Sequence, residues 1–110
     1  LGNTDEAEKI YREIIKSHPE YPQAQFNLII LIQEYYLKID EARQMWVDFT
    51  KDATANKVIP GRVEEAKERI KQIDELKEAT RKAEAQQAEM LKRMEELERL
   101  EKQAQEQSGE

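Results

Sequence analysis

His18 is the only histidine of this chain, and there is no cysteine among its 110 residues. One imidazole without a thiol or a second imidazole makes a poor metal site. His18 stands where the last turn of a helix is expected, and an imidazolium there complements the helix dipole without any ligand. The 24 aspartates and glutamates recur on what read as solvated helix faces, and no apolar setting singles out a pair for acid–base work. There is no Gly-rich phosphate loop and no nucleophile elbow. The residues therefore predict no catalytic group, no metal ligand, no cofactor and no enzyme. The chemistry left to the chain is recognition, by apolar burial and amide hydrogen bonds.

The elements that would position such a surface are all helical. Glycine and proline number three each, which leaves room for long uninterrupted helices. All seven aromatics fall between Tyr11 and Phe49, and Ile59-Pro60-Gly61 marks a change of composition. Before it the spacing predicts three helices: Asp5–Ser17 with Asn3 or Thr4 as N-cap, Gln23–Tyr36 with Pro22 in its first turn, and Ile39–Thr54. After it, Arg62–Gln107 is rich in Ala, Glu, Lys, Gln, Leu and Arg. These are the strong helix formers, and one continuous helix of about 70 Å is expected.

That helix carries two apolar stripes. Val63, Ala66, Ile70 and Ile73 share one side. Leu76, Ala83, Met90, Met94, Leu97 and Ala104 share another, rotated by about a quarter to a third of a turn. The first stripe is expected to cover the body of the chain. The second faces something else, and Met90, Leu91, Met94 and Leu97 are its candidate contact residues, since methionine-rich faces suit adaptable partners. The alternate positions Thr80, Gln87 and Glu101 are poor core residues, so any coiled coil through this face would be short. A solvated single helix is the competing expectation, with Glu78–Lys82, Glu89–Arg93, Glu95–Arg99 and Glu98–Lys102 as supporting pairs four apart.

The spacing at the start of the chain has a further meaning. Gly2 precedes Ala7 by five residues, and Tyr11, Ile14 and Pro19 follow. This resembles the back half of a tetratricopeptide repeat: a turn glycine, a small residue at a close helix contact, a continued buried face and a terminating proline. Phe26-Asn27-Leu28 resembles the first helix of the next repeat, and Ala42, Trp46 and Phe49 repeat the spacing of Ala7, Tyr11 and Ile14. The Ala7–Ala42 offset is one more than the family period of about 34, and the extra residue is placed in the Tyr36–Ile39 turn. Ile29 for a small residue, Tyr36 for the turn glycine and Ala53-Thr54 for the proline mark the second repeat as degenerate. The run Ile29–Ile32 reads equally as a helix buried on two sides.

The resemblance implies an all-α fold: a tetratricopeptide-like solenoid of antiparallel helix hairpins. It comprises a half repeat (1–19), a degenerate full repeat (20–57), a capping helix (58–76) and an extended charged helix, possible coiled coil, frayed at its end (77–110). The start at Leu1 reads as a piece cut from a longer array. The family implies a non-catalytic module that binds a partner protein. The groove positions that match are Gln23, Phe26, Asn27, Ile30, Gln33 and Glu34. No Lys or Arg precedes Lys38 on that helix, so a carboxylate clamp is not expected. The alternative function is a structural spacer or oligomerisation element acting through the long helix, with a homo-oligomer as its product.

The formal net charge of −6 and the lack of a basic patch argue against nucleic acid as a partner. No apolar run approaches the roughly 20 residues of a membrane span, so direct insertion is not expected. The compartment is not legible. A soluble chain of the bacterial cytoplasm or of the periplasmic envelope fits the family's use in multiprotein assembly.

Overall fold

The computed structural model describes residues 2–108. They form α1 (Gly2–Ser17), α2 (Pro22–Ile30) continued by a π-helical turn (Leu31–Tyr35), α3 (Ile39–Lys51), α4 (Ala53–Val58) and α5 (Pro60–Ser108). The fold is all-helical with a long C-terminal helix, and the chain divides into two compact units after Asp74. The readings made at Leu1 and of fraying at Gly109-Glu110 lie outside the described residues.

In the first unit, α1 begins earlier than expected. Gly2 is helical and serves no turn, and Asn3 and Thr4 lie inside the helix and do not cap it. The helix stops before Pro19, and Pro22 opens α2 at a position where its missing N–H costs nothing. Leu28, Ile29, Leu31 and Ile32 are all buried, so α2 is covered on more than one side.

The end of that helix departs from the expected loop. The Tyr36 N–H donates to the Leu31 carbonyl at 3.1 Å, five residues back, and the Lys38 N–H reaches Ile32 O at 3.0 Å. A π turn holds one residue more than an α turn, so this stretch carries one residue more than a regular α-helix would. Leu37 then takes the left-handed conformation, φ 56°, a position where glycine is usual and an L side chain is strained by about 1–2 kcal/mol. Its side chain is exposed. Leu37→Gly is therefore expected to raise stability, by a net of about 0.5–1 kcal/mol once glycine's larger unfolded-state entropy is subtracted. A urea titration of the two chains checks this.

A second departure follows α3. The predicted Ile39–Thr54 helix ends at Lys51, because Asp52 is extended (φ −72°, ψ 121°) and accepts the Ala55 N–H at 2.8 Å. This is an aspartate N-cap, and it starts the unanticipated α4. Asn56 fastens the break by donating from Nδ2 to the carbonyls of Thr50 and Asp52 at 2.9 and 2.8 Å. Pro60 then begins α5 directly.

The core is an aromatic cluster roofed by α5. Phe26 lies edge-on to Trp46 with ring centroids 5.1 Å apart, and Phe49 is 6.3 Å from Trp46 at 85°. Val63, Ala66 and Ile73 of α5 are buried in the same cluster, with Ile70 partly buried beside them. The first stripe thus covers the body as expected. Arg43 grips both carboxylate oxygens of Asp74 at 2.7 and 3.0 Å, tying α3 to the same stretch of α5.

In the second unit every described residue is exposed. The ion pairs along it differ in part from those expected. Glu78 pairs with Arg81, three residues on, and Glu96 replaces Glu95 as the neighbour of Arg99 at 3.8 Å. Glu89–Arg93 forms at 4.0 Å. The i,i+3 partner is an alternative of equal reach on a helix surface.

Candidate interaction surfaces

The six residues assigned to one groove on α2 and its continuation occupy three different settings. Phe26 is core, 5 % exposed, because its ring fills the space against Trp46. It cannot touch a partner. Gln33 and Glu34 are committed within the chain. The Trp46 Nε1–H donates to Gln33 Oε1 at 2.7 Å, and Arg69 of α5 reaches Gln33 Oε1 at 3.3 Å and Glu34 Oε1 at 3.0 Å. The Arg69 guanidinium also lies over the Trp46 ring, 5.5 Å from its centroid. The indole is the largest fully buried side chain, and its N–H must find an acceptor when buried. Gln33 meets that need, so its amide is structural.

Gln23, Asn27 and Ile30 remain together. Gln23 Nε2 donates to Asn27 Oδ1 at 3.0 Å, and both are half-buried. Asn27 and Ile30, with Leu31 and Tyr35, line a cleft of about 420 Å³ whose other wall is α1, through Asn3, Thr4, Ala7 and Tyr11. The α1 residues and Tyr35 were missed by reasoning confined to the second helix. The signal was present in the spacing of Ala7 and Tyr11, which reads as a close helix contact and a continued buried face. The structure leaves Ala7, Tyr11 and Ile14 half-buried and Ile10 exposed. The Tyr36 hydroxyl donates to Asp5 Oδ1 at 2.6 Å, tying the end of the π turn to α1. The Asp5 carboxylate raises the phenol pKa above its ordinary value, since ionising the hydroxyl would forfeit the bond and set two anions side by side.

A second cleft, about 410 Å³, opens between α1 and α3 over Ile15, Leu28, Ile29 and Phe49. Its charged rim is largely spoken for. Arg12 is bonded to Glu8 at 2.8 Å and holds that carboxyl below the usual range, while Asp52 caps α4.

Met90, Leu91, Met94 and Leu97 all lie exposed on α5, with Met90 64 % exposed and Leu97 59 %. They stand beside Leu100, which sequence reasoning left off the candidate set. Among the described residues no group of three or more His, Cys, Asp or Glu is placed to hold a metal ion, and no helix is long and apolar enough to cross a membrane. Comparison with protein-family models, with curated proteins and with solved structures gives no match.

Proposed function

We propose that the chain is a non-catalytic interaction module of the tetratricopeptide kind, binding an extended segment of a partner protein in the cleft between α1 and α2. The observation that carries this reading is the make-up of the cleft. Its floor is apolar, from Ala7, Ile30 and Leu31, and two tyrosines, Tyr11 and Tyr35, bound it. Two amides line it with them, Asn3 from α1 and Asn27 from α2. With its Oδ1 taken by Gln23, Asn27 offers its Nδ2 donors, which suit the carbonyls of an extended backbone.

The helical layout supports the repeat reading of residues 1–57. Ala42 is fully buried at a helix contact and Ala7 half-buried at the matching place. The π turn accounts for a repeat one residue longer than the family period. The stripe from Val63 to Ile73 closes the array as a capping helix would.

The test is selection of peptides from a random library on the full chain. Binders are expected to shift the amide resonances of Tyr11, Asn27, Ile30 and Tyr35. Asn27→Ala is expected to weaken them about tenfold and Tyr11→Ala by more, with unchanged helical content. Binders unaffected by either substitution, or a library without binders, would overturn the reading. The alternative of a spacer or oligomerisation element is favoured by a separate observation, the exposed apolar stripe of the second unit.

A further inference from the structure

We infer that residues 87–101 of α5 pair with the same segment of a second copy of this chain, as a short parallel two-stranded coil in register. The stripe has heptad spacing. Ala83, Met90, Leu97 and Ala104 fall on one core position, and Gln87, Met94 and Glu101 on the other. Leu91 and Leu100 flank Met90, Met94 and Leu97, and all five are exposed within one chain. Eleven residues thus present five large apolar side chains, with charged residues on the opposite face.

Two features select a second copy, and the parallel arrangement. The first is charge. Arg93 and Glu98 occupy the two positions flanking the seam, five residues apart, which is the spacing that brings them together across a parallel pair. Twofold symmetry makes that contact twice. Within one chain Arg93 has only a 4.0 Å contact to Glu89, and no ion pair of the described residues engages Glu98. An antiparallel pair that sets Met94 against Met90 would bring Arg93 against Arg93 and Glu84 against Glu98. One that sets Met94 against Leu97 would leave both charges without a partner across the seam.

The second is Gln87. In a parallel register it meets the same residue of the other copy, amide against amide, a device that fixes register at some cost in affinity. In the antiparallel registers it faces Leu97 or Ala104, and its amide goes unpaired. Glu101 ends the seam, since two carboxylates would face each other there.

The inference uses residues apart from the peptide cleft, so the two readings fail separately. Sedimentation equilibrium of the full chain is expected to show a reversible monomer–dimer equilibrium. Arg93→Glu should weaken the dimer about tenfold, and the double variant R93E/E98R should restore it, because the pair is re-formed with its signs exchanged. Glu101→Leu, which extends the seam, should tighten the dimer by about tenfold or more. Gln87→Cys, in a chain otherwise free of cysteine, should oxidise to a covalent dimer, since only the parallel register apposes the two thiols. Helical content by circular dichroism should be the same in all four variants. A chain that stays monomeric at every concentration, with Glu101→Leu also monomeric, overturns the inference. So does a dimer that ignores the charge exchange or fails to cross-link at residue 87.

Discussion

Trp46→Ala is expected to destabilise the first unit by about 3–5 kcal/mol, the range for removing a large aromatic side chain from a core. That is a large part of the stability of a small domain, and the variant should populate unfolded chain in water at ambient temperature. The size follows from what the indole touches. It is 0 % exposed, it is packed by Phe26 and Phe49, and the Arg69 guanidinium lies over its face. Trp46→Phe separates volume from polarity. The phenyl ring keeps most of the packing but cannot donate to Gln33. Gln33 Oε1 still accepts from Arg69 at 3.3 Å, so its oxygen is not stranded, and the loss should be about 1–2 kcal/mol. Urea unfolding followed by far-ultraviolet circular dichroism measures both, because each substitution removes the only tryptophan. A Trp46→Ala chain as stable as its parent would mean that the aromatic cluster is not the centre of the fold.

Periodicity made the core legible in advance. Val63, Ala66, Ile70 and Ile73 were assigned to the body from spacing alone, and Trp46 and Phe49 fall where a 3.6-residue period puts them. Backbone events that no period records were not legible. The extended conformation of Asp52 turned a predicted helix into α3 and α4, although Asp-Ala-Thr-Ala reads afterwards as an N-cap followed by a helical turn. The π turn and left-handed Leu37 were hidden because nothing but a leucine stands where a glycine would have announced them.

The candidate contact surface was less legible than the fold, and for a different reason. A helix has several faces, and a motif names positions without saying which neighbour claims them. Phe26 went to the aromatic cluster. Gln33 and Glu34 were taken by Trp46 and by Arg69, which lie 13 and 35 or more residues away in sequence. Only Gln23, Asn27 and Ile30 were left, and the cleft beside Asn27 and Ile30 is completed by α1.

Two truncations should have opposite outcomes. A chain ending at Lys77 removes most of the second unit, in which every described residue is exposed. Its unfolding free energy should match that of the parent to within about 0.5 kcal/mol, since no core contact is lost. It keeps Arg43–Asp74 and the whole Val63–Ile73 stripe. A chain ending at Val58 also lacks that stripe. Val63, Ala66 and Ile73 are buried against the cluster around Trp46, and each large apolar side chain withdrawn from it forfeits about 1.5–3 kcal/mol. Arg69, which lies on Trp46 and bonds Gln33 and Glu34, goes with them. Together these losses exceed the margin of a small domain, so the shorter chain should be unfolded or aggregated. The longer one also separates the two functional readings. Its cleft residues, Asn3 to Tyr35, are intact, so peptide affinity should persist, while self-association should vanish with Met90, Met94 and Leu97. If the Lys77 chain still dimerises, the contact between copies lies in the first unit. If it loses peptide as well, recognition belongs to the long helix and the cleft is idle.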